Sequence, residues 1–151
     1  MHPAGKESLD LVLTNNLEAV SQLHNAVEAF AARAGLPEVR RLDLRQALEE
    51  AFVNVVRYAW EGGQHVIHLR LVREAGGIVA VLDDDGRPFN PLEAPPFDAD
   101  TPLQERREGG MGINMIRGLT DEQAYERCGG RNRLRLTVRR DQSTTPIGPR
   151  L

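Results

Sequence analysis

The chain has 151 residues, a formal net charge of −3 and 40% hydrophobic residues, which suits one domain with its own core. That charge gives no electrostatic footprint for nucleic acid, and the single Cys128 excludes a disulfide within the chain. No apolar run approaches a membrane span and no signal peptide precedes Ser8, so the expectation is a cytoplasmic protein with neither nucleic acid nor membrane as partner.

Residues 1–7 read as a frayed end, 8–140 as the folded domain and 141–151 as a tail. Leu9 to Leu13 alternates and predicts a short strand. Asn15 or Asn16 caps a helix running to about Ala34, with Leu17, Val20, Leu23, Val27 and Phe30 on one side. Gly35 stops it, and Pro37 starts a second helix that ends by Gly62-Gly63.

The second helix carries the most informative stretch. Leu44, Leu48, Ala51, Phe52, Val55 and Ala59 form its apolar stripe. Glu50 and Asn54, four residues apart, share a face, whereas Glu49 lies about 140° round the helix from Asn54. Asn54 interrupts Val53, Val55 and Val56, where a helix built only to pack would place an aliphatic residue. An amide at such an edge needs partners. A structural amide satisfied by protein and a ligand for a nucleotide with its metal are both compatible with this pattern.

His65 to Val72 and Ile78 to Leu82 predict a hairpin, turning at Ala75-Gly76-Gly77. His65 and His68 then face opposite sides of a strand, which disfavours a metal pair. The second strand runs straight into Asp83-Asp84-Asp85-Gly86. Three adjacent carboxylates repel one another unless one meets a donor. Asp84 suits the exocyclic amine of adenine, a hydrogen bond to an ionised acceptor being worth ~1.5–3 kcal/mol. Gly86 would let a base lie close to the backbone. An acidic turn is the plain alternative.

Residues 87–108 show no clean period and hold five prolines, a length typical of a lid or binding loop. Glu108-Gly109-Gly110-Met111-Gly112-Ile113-Asn114 then opens a short helix, Ile113 to Leu119. Bare amides at such a start attract phosphate, and a flexible hinge is the alternative. No Gly-Lys-Ser/Thr follows, so this is not a Walker loop, and no βαβ unit makes it a dinucleotide fingerprint. Gln123 to Cys128 and Arg133 to Arg139 predict a closing hairpin around Gly129-Gly130.

Taken together, these segments resemble the GHKL (Bergerat-type) ATPase superfamily, which includes gyrase, histidine kinases and the mismatch-repair ATPases. They look most like its small anti-sigma-factor serine-protein kinases. The resemblance rests on Glu50 and Asn54 in a Glu-x-x-x-Asn helix, and on Asp84 and Gly86 followed by Phe89-Asn90-Pro91. Gly109, Gly110, Gly112 and Ile113 supply its glycine box. It covers roughly residues 8–140. Two departures stand out: Tyr58-Ala59-Trp60 replaces the more usual His-Ala-Tyr, and Gly130-Arg131-Asn132-Arg133-Leu134 lacks the threonine often found there. No water-mediated adenine contact is assigned in that last segment.

The resemblance implies an α/β (α+β) two-layer sandwich, a mixed, mostly antiparallel sheet with helices on one face. ATP would lie between the layers with Mg²⁺. Asn54 would be the magnesium ligand, Asp84 would fix adenine, and Gly109, Gly110, Met111, Gly112 and Ile113 would cradle phosphate. Glu50 would be the catalytic base. Arg57 and Arg107 are phosphate candidates, each also readable as a surface charge, as is Arg106. The implied function is phosphorylation of a STAS-type anti-anti-sigma partner and sequestration of a sigma factor or similar regulator, with a possible homodimer. The alternative is a nucleotide-dependent binding module without phosphotransfer.

Overall fold

The computed structural model describes residues 6–93 and 115–141. Within them the chain forms β1 (Ser8–Thr14), α1 (Val20–Arg33), α2 (Glu38–Tyr58), β2 (Val66–Glu74), β3 (Gly77–Asp84), β4 (Glu122–Cys128) and β5 (Arg131–Arg139). Residues 115–119 are also helical. The five strands form one sheet in the order β1-β2-β3-β5-β4, antiparallel at every described pairing. The expected two-layer α/β sandwich is therefore present.

Period-two alternation builds the sheet's inner face. Ile67, Leu69 and Leu71 of β2, Ile78, Ala80 and Leu82 of β3, and Leu134, Leu136 and Val138 of β5 are all buried. The stripe Leu44, Leu48, Ala51, Phe52, Val55 and Ala59 on α2 packs into the same core, joined by Leu23, Val27 and Phe30 of α1. Each fully buried Leu, Ile or Phe contributes ~1.5–3 kcal/mol through removal from water. No helix among the described residues is long and apolar enough to cross a membrane.

Local chemistry sets the element ends. Asn16 accepts from Ala19 N at 3.2 Å, but it caps a 3₁₀ turn, Leu17–Ala19, ahead of α1. That tighter pitch turns Leu17 off the helix's apolar side; it is 54% exposed rather than buried as expected. Gly35 closes α1 with φ +78°. Helix α2 ends at Tyr58, short of the glycine pair, with Ala59 N donating to Val55 O at 2.9 Å. The β4–β5 turn has Gly129 at φ +59° and Gly130 at φ +78°, the two positive values a tight two-residue hairpin requires. Gly77, placed in the turn by sequence, instead begins β3. A Cβ there would lie 2.2 Å from Val138 O, so only glycine lets β3 and β5 approach.

A buried ion cluster pins the start of α2 to the far edge of the sheet. Arg40 donates to Asp43 and to Asp121, each at 2.5 Å, and to Arg139 O at 3.0 Å. Asp121 also accepts from Arg139 N at 2.8 Å. Three elements distant in sequence are thereby held in one orientation.

Candidate functional site

Three carboxylates in a row cannot all share one environment, and the strand period separates them. Asp83 points to the sheet's outer face, where Arg131 and Arg133 pair with it. Asp85 is exposed. Asp84 continues the inward series Ile78, Ala80, Leu82 and is 2% exposed beneath the helical layer. Burial holds its carboxyl above the usual carboxylate range, opposed by hydrogen bonds from Asn132 and Gly86, with Asp83 and Asp85 adding repulsion.

Those two hydrogen bonds fall on the same oxygen. Gly86 N donates to Asp84 Oδ1 at 2.8 Å and Asn132 Nδ2 donates to it at 2.9 Å. Oδ2 accepts no hydrogen bond among the described residues. One carboxylate oxygen is thus fixed by the protein, and the other is available to an N–H donor entering from between the layers.

The turn beyond Asp84 is built against the end of α2. Arg87 N donates to Ala59 O at 2.8 Å, and a Cβ on Gly86 would lie 2.6 Å from both the Cβ and the carbonyl oxygen of Ala59. The close approach that Gly86 permits is therefore to this helix end. Arg127 of β4 donates to Gly86 O at 2.7 Å and clamps the turn from the other side. Tyr58, one helical turn beyond Asn54, packs its ring on Phe89 with centroids 5.5 Å apart. Asn90 folds the next segment back, accepting from Leu92 N at 2.9 Å. Trp60 stacks on His65 at 4.5 Å, a packing role at the helix end. His68 lies outward on β2.

Asn54 sits on the buried side of α2 and is 4% exposed, yet its side-chain amide meets no hydrogen-bond partner among the described residues. A buried polar group left so costs ~1–3 kcal/mol. Such an amide is unusual in a finished core and fits a site completed by a ligand. Its oxygen is of the type magnesium prefers; that ion retains waters and leans on phosphates, so one protein ligand is compatible with binding. Glu50 stands one turn earlier on the same helix, half-buried and engaged in an interaction. Glu49, on a different face, pairs with His24 at 2.6 Å. Arg57 is exposed and also engaged.

Glu50, Asn54, Asp84 and Gly86 are thus carried by α2 and by the strand end hydrogen-bonded to it. Arg107, Gly109, Gly110, Met111, Gly112 and Ile113 lie outside the described residues, as does Arg106. The residue missed by sequence reasoning is Asn132. It is 3% exposed and stands opposite Asp84 in the strand register. Its signal was parity: Asn132 falls on the same face as Leu134, Leu136 and Val138.

Comparison with known proteins gives the family and the fold. The family profile described as a histidine kinase-like ATPase domain matches residues 13–138. The serine-protein kinase RsbW of Halalkalibacterium halodurans is 29% identical over 122 residues, covering 77% of this chain and 74% of that protein. The serine-protein kinase RsbW of Staphylococcus aureus is 26% identical over 125 residues, covering 78% and 77%. Among solved structures, the RsbU and RsbW domains of Rv1364c from Mycobacterium tuberculosis align with a TM-score of 0.61 at 16% identity. That alignment covers 88% of this chain but only 32% of the longer one, and it speaks to the fold alone.

Proposed function

The chain belongs to the histidine kinase-like ATPase domain family, and from that premise we propose that it binds ATP between helices and sheet and phosphorylates a serine of a partner protein. The observation that carries this reading is that two buried polar groups, the Asn54 amide and Asp84 Oδ2, meet no hydrogen-bond partner among the described residues. The kinase activity is drawn from the relatives named as serine-protein kinases.

Asp84 Oδ2 accepts a hydrogen bond from the exocyclic amine of adenine and so selects the base. Asn54 would hold Mg²⁺ through its amide oxygen, and the ion would supply charge neutralisation for the phosphates. Gly109, Gly110 and Gly112 offer backbone amides to the triphosphate, with Met111 and Ile113 in the same box and Arg107 beside it. Glu50 accepts the proton of the serine hydroxyl as that oxygen attacks the γ-phosphorus, and ADP leaves. A positioned base of this kind contributes typically ~10²–10⁴-fold in rate.

The partner proposed is a STAS-type anti-anti-sigma protein, and the regulator held in turn is a sigma factor or similar protein. Homodimer formation belongs to the same proposal. The test incubates the full chain with γ-labelled ATP, Mg²⁺ and a STAS partner. Label on a partner serine supports the reading. Tight ATP binding and partner capture with no label over hours would make the protein a binding module instead.

A further inference from the structure

Asn132 occupies a position that fixes which way the Asp84 carboxylate presents itself. Its four hydrogen-bonding capacities are all used. Oδ1 accepts from Phe89 N at 3.1 Å and from the Tyr125 hydroxyl at 2.5 Å, while Nδ2 donates to Asp84 Oδ1 at 2.9 Å and to Arg87 O at 2.8 Å. Two donors on one edge leave the amide a single orientation, so the NH₂ group must face the carboxylate. With Gly86 N on the same oxygen, Asp84 cannot rotate without losing two buried hydrogen bonds.

We infer that Asn132 is the positioning residue for base selection, holding Asp84 so that only Oδ2 meets the purine amine, with Tyr125 of β4 locking Asn132 in turn. This rests on the adenine reading above. A threonine hydroxyl, with one donor, could not span both the Asp84 carboxylate and Arg87 O while also accepting two hydrogen bonds from Phe89 and Tyr125. The chain thus reaches base selection with a strand-to-strand amide relay. Among the described residues, the ionisable groups linked to the carboxylate are Asp83 and Asp85 beside it, Tyr125 through Asn132, and Arg127, which donates to the turn at Gly86 O.

The test measures affinity for ATP and for purine riboside triphosphate, which lacks the exocyclic amine, across pH. Wild type, Asn132→Ala and Asn132→Asp are compared as full chains. The aspartate variant keeps an oxygen for Phe89 N–H and the Tyr125 hydroxyl and changes the edge that faces Asp84 and Arg87 O. Wild type is expected to prefer ATP by roughly tenfold or more. Asn132→Ala should bring that ratio to within about twofold of unity, and in Asn132→Asp the acid-side loss of ATP preference should move to higher pH, because two facing carboxylates share a proton. A purely structural Asn132 would weaken both nucleotides together and leave the ratio and pH profile of any folded variant unchanged, overturning the inference while leaving the nucleotide reading intact. Absence of ATP preference in wild type would overturn the adenine reading itself, and this inference with it.

Discussion

Asn132 on β5 and Asp84 on β3 stand opposite each other in the sheet, joined by an amide-to-carboxylate hydrogen bond of 2.9 Å in a buried setting. The protein spends a well-formed amide on a carboxylate whose burial is unfavourable to its charge. Asp84→Asn keeps an acceptor for both Asn132 and Gly86 N and removes that charge. The apo protein should melt about 2–4 °C higher at neutral pH, while preference for ATP over purine riboside triphosphate disappears. The sign follows from linkage: a carboxyl raised in the folded state binds its proton more tightly there, so its destabilising effect fades as pH falls through the raised folded value toward the ordinary one. The melting advantage of the variant should shrink over that window, as calorimetry at several pH values will show.

Removal of Arg40 leaves Asp43 and Asp121 buried without their cation. Arg40→Ala should cost about 3–5 kcal/mol in urea unfolding. A triple change, Arg40→Met with Asp43→Leu and Asp121→Leu, should cost much less, because the loss comes from stranded charge and not from the value of the pairs.

Gly86 and Ala59 are matched in size. Gly86→Ala drives a methyl group to 2.6 Å from Ala59 and should destabilise by about 1–3 kcal/mol. Ala59→Gly removes one of the two colliding atoms, and the carbonyl remains. The double variant should therefore recover only part of the loss, giving a non-zero coupling in a double-mutant cycle.

Glu50→Gln preserves size and removes the base. Under the proposed mechanism, serine phosphorylation should fall by roughly 10²–10⁴-fold while ATP affinity stays near wild type. Single-turnover assays with pre-bound nucleotide separate the two quantities. Unchanged transfer would remove Glu50 from the chemistry.

Much of the fold was legible because each element carries its own period. The α2 stripe and the alternation of β2, β3 and β5 place their residues correctly without knowledge of neighbours. Asn54 and Glu50 were visible as polar interruptions of an apolar run. Among the three acids, parity with Ile78, Ala80 and Leu82 already favours Asp84 as the inward one. Asn132 was harder to see: Arg131, Arg133 and Arg135 surround it, and its role depends on a strand partner 48 residues away. The collisions that demand glycine at 77 and 86 are likewise non-local, with β5 and with the end of α2. Arg40 carries no local sign of its role, because its partner Asp121 lies 81 residues later in the chain.

The buried Asn54 amide, which meets no hydrogen-bond partner among the described residues, is proposed to be completed by a magnesium–nucleotide ligand. Titration calorimetry of ATP into wild type and Asn54→Leu, each with Mg²⁺ and with a chelator, tests it most directly. Wild type should bind ATP tightly only with Mg²⁺, and the leucine variant should lose that dependence while its apo form gains about 1–3 kcal/mol of stability. Equal, magnesium-dependent ATP binding by both proteins, or no ATP binding by wild type, would contradict the account.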